Sequence, residues 1–344
     1  MPGQPSHDGT ETELAIDAQD VHVTYADGTT AVRGATLRVE RGEFFGFLGP
    51  NGAGKTTTIK TLVTLLHPTD GSVRINGYDT VTEPQAVRES IGYMAQETSI
   101  DRELSPRENL QLTCELYGVP ESEREDRIAE LLDLVDLEAV ADTRSETFSG
   151  GMKKRLDAAT VLVHRPPVVF LDEPTTGLDP EARLRLWEYF ERINERGTTV
   201  FLTTQYLEEA DQLCDRLSLL QDGQVIATGG PEQLKSEVGV DVIDLRLADA
   251  TDEAKQHATQ VLQRLDAVGD ATVATTTGGV TVRSPAVREA ASEVFAALDD
   301  AGIAVESFDV RSPTLDDVFL ALTEGSTEES PATGVASLGT EVVQ

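Results

Sequence analysis

Apolar and polar residues alternate early in the chain, at Val21, Val23 and Tyr25 and again at Ala35, Leu37 and Val39. A period of two puts one side of an extended chain into a core, so residues 14–48 are read as strands. The last of them, Phe44-Phe45-Gly46-Phe47-Leu48, is apolar throughout, as a strand covered on both faces would be. A glycine loop follows, then a helix over about 54–66. Residues 98–147 read as charged and helical, with Leu131, Leu132, Leu134 and Val135 as their buried face. A second apolar run, Val168-Val169-Phe170-Leu171, leads to a helix over 181–195 and a strand over 198–203. Leu219 to Ile226 reads as a hairpin turning at Asp222-Gly223.

A separate unit is expected after residue 237. Its pattern predicts a strand over 241–247, a helix over 252–267, strands over 270–276 and 279–283, a helix over 285–301 and a strand over 303–310. A last helix starts at a Thr314 cap and runs to about 323. The order βαββαβ is that of a ferredoxin-like split βαβ unit, and nothing in it has a catalytic pattern. Residues 1–13 and 324–344 are polar and expected to be disordered.

Composition narrows the class. At 39% hydrophobic the chain can build cores, but its apolar runs fall far short of the roughly 18–20 residues of a spanning helix. The first residues, MPGQPSHDGTETE, lack the basic and apolar regions of a secretory signal. Cys114 and Cys214 show no metal or redox spacing, which suits a reducing cytosol. A formal charge of −33 argues against a broad grip on nucleic acid. Lysine is scarce (Lys55, Lys60, Lys153, Lys154, Lys235 and Lys255), and arginine supplies the remaining basic charge. Acid spread along the whole chain with little lysine resembles the proteins of extreme halophiles, and a halophilic archaeal source is expected.

Three motifs carry chemistry. Gly49-Pro50-Asn51-Gly52-Ala53-Gly54-Lys55-Thr56 has the G-x-x-x-x-G-K-[ST] form between a buried strand and a helix. Its amides and the helix start suit a β-phosphate, Lys55 the β- and γ-phosphates, and Thr56 a Mg²⁺ ion; Thr57 completes the nucleotide-binding stretch. The second run ends in Asp172-Glu173, at the strand end where open α/β sheets bind ligands. Asp172 is placed to hold Mg²⁺ and Glu173 to act as general base for the water attacking the γ-phosphate. The third is Phe148-Ser149-Gly150-Gly151-Met152, opening a helix that leads into the acidic strand.

The third motif resembles the signature of ABC-type ATPases, usually Leu-Ser-Gly-Gly-Gln. The resemblance covers about residues 14–237 and implies an α/β P-loop nucleotide-binding domain with a helical subdomain at about 97–165. The α+β ferredoxin-like unit is appended at 238–323. It implies ATP and Mg²⁺, two copies meeting head to tail, and Ser149, Gly150, Gly151 and Met152 of each capping the ATP of the other. It further implies that Tyr25 stacks on adenine, that Gln96 touches Mg²⁺ and senses a membrane partner, and that Asp179 lies in a dimer-interface loop. Gln205 stands where most of the family carries a γ-phosphate-contacting His, and cannot titrate near neutral pH. Thr204-Gln205-Tyr206-Leu207-Glu208-Glu209-Ala210-Asp211 and the terminal Pro313-Thr314-Leu315-Asp316-Asp317-Val318-Phe319 resemble the daunorubicin/doxorubicin-resistance exporters. That subfamily implies a separate ABC-2-like permease, export of a drug or lipid, and a place on the cytoplasmic face of the membrane. A non-transport ABC ATPase of translation or DNA repair is the alternative, disfavoured by a single phosphate loop and the acidic charge. A P-loop GTPase or small-molecule kinase would leave the Ser-Gly-Gly helix unexplained.

Overall fold

A computed structural model describes residues 13–238, 241–269, 271–284, 287 and 289–324. The chain divides into two compact units between Pro231 and Glu232, a few residues before the junction read from the sequence. The polar stretches expected to be disordered lie outside the described residues, apart from Glu13 and Glu324. Among the described residues no helix is long and apolar enough to cross a membrane.

The first unit opens with β1 (Leu14–Thr24) and β2 (Thr30–Glu40), paired antiparallel with Val21 opposite Ala35 and Val23 opposite Val32. The alternation seen in the sequence is thereby converted into one buried face. Strand β3 (Phe44–Leu48) is buried at every residue and feeds the glycine loop and α1 (Lys55–Leu62). Helix α1 stops short of residue 66 because the chain turns at Thr64, whose φ of 67° no right-handed helix accepts. Then come β4 (Asp70–Ile75), β5 (Tyr78–Asp79), α2 (Pro84–Glu89) and β6 (Ile91–Met94).

The charged region forms α3 (Pro106–Leu116), started by a Ser105–Glu108 capping box, and α4 (Glu121–Leu134), which buries Ile128, Leu131 and Leu132. Helix α5 (Gly150–Thr160) and β7 (Val168–Asp172) follow, then α6 (Pro180–Glu195) and β8 (Thr199–Thr204). The unit closes with α7 (Leu207–Leu213) and the β9 (Arg216–Gln221) to β10 (Gln224–Gly229) hairpin.

Two sheets result. One has the order β2-β1-β4-β5 and is antiparallel. The other has the order β10-β9-β3-β8-β7-β6 and is parallel except at the β10 edge. The ring of Phe201 on β8 lies 5.7 Å from Phe45 on β3 and 5.5 Å from Phe170 on β7, packing the three middle strands together. Their register sets Leu48 opposite Thr204 and Asp172 opposite Thr203, so the carboxyl ends of β3, β7 and β8 open at one edge. That edge is where such sheets hold ligands.

From Glu232 on, the second unit takes in the rest of α8 (Pro231–Val238), then β11 (Asp241–Leu247), α9 (Asp252–Leu262), β12 (Thr272–Thr275) and β13 (Gly279–Ser284). It ends with α10 (Ala291–Asp300), β14 (Val305–Arg311) and α11 (Leu315–Glu324). The order β12-β13-β11-β14, antiparallel throughout, is the split βαβ arrangement. Helix α9 is shorter than the pattern suggested, because Asp266–Val268 forms its own 3₁₀ turn before Gly269. The expected helix from 285 begins only at Ala291; residues 285, 286 and 288 lie outside the described ones.

The terminal Thr314-to-Asp317 motif has a structural use. Thr314 Oγ1 accepts from the Asp317 amide, while Asp317 Oδ2 accepts from the Thr314 amide at 3.0 Å and its hydroxyl at 2.9 Å. This is a capping box at the start of α11. The same carboxylate also takes hydrogen bonds from Arg283 of β13 and Arg311 of β14, pinning the helix to the sheet. Burial alone would raise the Asp317 pKa, but the bonds from Arg311 and Thr314 outweigh it and hold the carboxyl well below the usual range.

A depressed carboxyl stabilises fully above its unfolded pKa near 4, and that contribution is lost as pH falls through the folded value. Asp317→Asn is therefore expected to weaken the second unit by about 2–3 kcal/mol at pH 7. Amide exchange in β13, β14 and α11 of the full chain reads this directly. The gap between variant and parent should narrow below pH 4. Parent-like protection at pH 7 would show that the clamp contributes nothing.

Candidate functional site

The glycine loop between β3 and α1 is shaped by its neighbours. Gly54 has a φ of 110°, and a Cβ there would lie 2.5 Å from the Ala31 carbonyl oxygen, so only glycine fits. Lys55 opens α1 and folds back over the loop, donating to the Gly49 carbonyl at 2.8 Å and the Pro50 carbonyl at 3.2 Å. Its ammonium also lies 3.2 Å from Glu173 Oε1, and both side chains are buried. Loop and acidic strand are thus brought together, as the two motifs required.

Glu173 follows β7 in a left-handed conformation, with φ of 47°. Its amide holds that turn by donating to the Thr203 carbonyl at 3.0 Å and hydroxyl at 3.2 Å. The other carboxylate oxygen, Oε2, accepts from Gln96 Nε2 at 3.3 Å and from the Thr176 hydroxyl at 3.4 Å. Asp172, beside it, accepts from Thr203 Oγ1 at 2.6 Å. Burial, with the Glu173 charge adding to it, keeps Asp172 above the usual carboxylate range against the pull of Thr203, Lys60 and Lys55. The same burial, helped by Asp172, pushes the phenol of Tyr93 up to about 12.

Tyr25 is half-exposed after β1, and its hydroxyl lies 2.9 Å from that of Thr57 on α1. An aromatic face therefore stands beside the phosphate loop. Gln205 is half-buried just past β8, and among the described residues no hydrogen bond joins its side chain to the other site residues.

Ser149, Gly150, Gly151 and Met152 form a second group. Ser149 caps α5, its hydroxyl accepting from the Met152 amide at 3.3 Å, and Ser149 and Gly150 are exposed. Asp179 caps α6 in the same way through the Ala182 amide. The two helix starts touch: a Cβ on Gly151 would come 2.9 Å from that of Ala182. No hydrogen bond among the described residues connects Ser149, Gly150, Gly151 or Asp179 to the phosphate loop or to Glu173.

Thr203 and Thr176 were missed in the sequence. Thr203 had one readable signal, since aligning two buried parallel strands by their carboxyl ends puts it opposite Asp172. The oxygen donors fit a magnesium ion. Among the described residues no three His, Cys, Asp or Glu gather as an all-protein cage. The residues assigned to Mg²⁺ in the sequence, Thr56, Gln96 and Asp172, each carry a hard oxygen, the donor type that Mg²⁺ takes while keeping waters and substrate phosphates.

Comparison with known proteins identifies the relatives of this chain. A family described as ABC transporter matches residues 32–176, and one described as ATP-binding protein DrrA1-3-like, C-terminal domain, matches residues 229–323. The daunorubicin resistance ATP-binding protein DrrA3 of Streptomyces coeruleorubidus is 45% identical over 314 residues, covering 90% of this chain and 96% of that one. The daunorubicin/doxorubicin resistance ATP-binding protein DrrA of Streptomyces peucetius is 40% identical over 336 residues, covering 93% and 97%. The Nod factor export ATP-binding protein I of Burkholderia orbicola is 42% identical over 231 residues, covering 67% and 76%.

Among solved structures, an ATP-binding subunit of an ABC transporter superposes with a TM-score of 0.60 at 32% identity, covering 65% of this chain and 93% of the other. A dimeric ATP-binding cassette in a post-hydrolysis state, bound to ADP and Pi, gives 0.57 at 28% identity, covering 62% and 98%.

Proposed function

The chain belongs to the family of ABC transporter ATP-binding proteins, and from that premise we propose that it powers export through a separate membrane permease. It is an ATPase subunit of the exporter kind. The observation that carries the reading is the convergence of Lys55, Gln96 and Glu173 at the end of the central sheet, with the Ser149 helix start exposed elsewhere.

In this reading the loop amides and Lys55 take the β- and γ-phosphates of ATP, drawing Lys55 away from Glu173. The freed Glu173 carboxylate accepts the proton of the attacking water. Thr56, Gln96 and Asp172 hold Mg²⁺, which when bound neutralises charge on the phosphates. Tyr25 offers its ring to adenine, and Gln205 makes a non-titrating contact to the γ-phosphate.

Ser149, Gly150, Gly151 and Met152 cap the nucleotide of a second copy, using a hydroxyl, bare amides and a helix start. Asp179 lies in the same interface. The permease is of the ABC-2 type, its cargo a drug or lipid, and the subunit works at the cytoplasmic face of the membrane. The non-transport alternative has no support among these relatives, which are resistance and export proteins.

The test is nucleotide-driven dimerisation. Two subunits each of formal charge −33 repel over a Debye length of about 10 Å at 0.1 M salt, falling to about 3 Å at 1 M. Contacts of Ser149 and the glycine amides with phosphate lie in a seam that salt weakens less. With a non-hydrolysable ATP analogue and Mg²⁺, the dimer fraction is expected to rise with KCl up to about 1 M. A dimer strongest at the lowest salt, in a chain still folded, overturns the salt-tolerant interface and the halophile reading. No dimer at any salt overturns the sandwich.

A further inference from the structure

Beyond its exposed start, α5 has a second face turned into the site. Lys154 is 7% exposed, and its Nζ donates to the main-chain oxygen of Gln96 at 2.6 Å. Three residues on, and so on the same side of the helix, Asp157 accepts from the Ser99 amide at 3.1 Å and hydroxyl at 2.6 Å through one oxygen. These two rungs grip both ends of Gln96–Ser99, a segment with no helix or strand of its own. Gln96 in turn donates from its side chain to Glu173.

A buried ammonium is an expensive strut. Lys154 forms no close ion pair among the described residues, and the hydrogen bond found for it ends on a carbonyl of the loop bearing Gln96. An apolar side chain there would spare the cost of burying the charge but would leave the Gln96 carbonyl without its donor and take a positive charge from near Asp157 and Asp172. What an apolar side chain cannot do is fix the Gln96 main chain in one place.

Resting on the roles given above to Gln96 and Glu173, we propose that Lys154 is a positioning residue for hydrolysis. It holds the Gln96 main chain so that the Gln96 side chain meets Glu173. Lys154 and Ser149 also belong to one short helix and its cap. The element that presents Ser149 to a second copy is therefore the one that sets Gln96 in its own site.

Three full-length proteins test this in parallel with Lys154→Met: the parent, Lys154→Arg and Glu173→Gln. Lys154→Met is expected to bind ATP with parental affinity, keep its KM, and lose about tenfold to a hundredfold in kcat, the scale of a misplaced catalytic group. Lys154→Arg, which keeps a charged donor, should recover most of that loss. If Glu173→Gln is inactive while Lys154→Met turns over as the parent does, the positioning role is wrong and the site stands. If Glu173→Gln itself turns over normally, the site assignment falls and takes the proposal with it. A Lys154→Met protein that loses affinity, KM and melting temperature together, without rescue by arginine, has a structural lysine, and that too overturns the proposal.

Discussion

Glu173→Gln is expected to bind ATP as the parent does and to hydrolyse it about 10²–10⁴-fold more slowly. Glutamine has the same shape, and its amide oxygen can still accept from Gln96 and Thr176, so the pocket should keep its form. Lys55 keeps the Gly49 and Pro50 carbonyls when its carboxylate partner is neutralised, so the phosphate cradle survives. The proton acceptor is lost together with the Lys55 ion pair, and in the bound state the ATP phosphates take the place of that partner. Single-turnover hydrolysis at saturating ATP, beside an equilibrium binding measurement, separates the two effects. Parent-like turnover would remove Glu173 from the role of base.

Lys55→Ala should fail earlier, at binding. The ammonium is the only buried cation touching the loop carbonyls among the described residues, and a hydrogen bond from a charged group contributes about 1.5–3 kcal/mol. ATP affinity should therefore fall by roughly 10–150-fold. A second consequence follows without nucleotide. Glu173, with a side chain 9% exposed, loses its ion-pair partner, and a broken buried pair destabilises more than the intact pair stabilised. The variant should melt below the parent with no ligand present. A calorimetric titration giving parental affinity would refute the assigned contact.

The parts readable from the sequence were those set by local pattern. Phe44–Leu48 and Val168–Leu171 are apolar throughout, as a strand covered on both faces would be. The Gly54 and Lys55 spacing requires a loop and a helix start, wherever the rest of the chain goes. What stayed hidden depends on pairing between distant segments. The alternation in β1 and β2 gave strands but not the separate antiparallel sheet they form with β4 and β5. Nothing local in Lys154 announces a bond to Gln96, because the contact exists only once α5 packs against the end of β6. Thr314 was visible as a cap, whereas its partner Asp317 and the bonds from Arg283 and Arg311 show only in the folded unit.

The left-handed backbone at Glu173 bears on how this chain can change over generations. A residue with a Cβ held there gives up roughly 1–2 kcal/mol relative to a right-handed neighbour, and glycine would escape that loss. Thr203 keeps the turn in place from the next strand, so the tension persists in the folded protein. Selection for durability alone would drift toward glycine at this position, and selection for turnover alone holds the acid there. The carboxylate proposed as the base is thus a place where the chain is less stable than its own fold would permit, and turnover by that base is what would hold a side chain there.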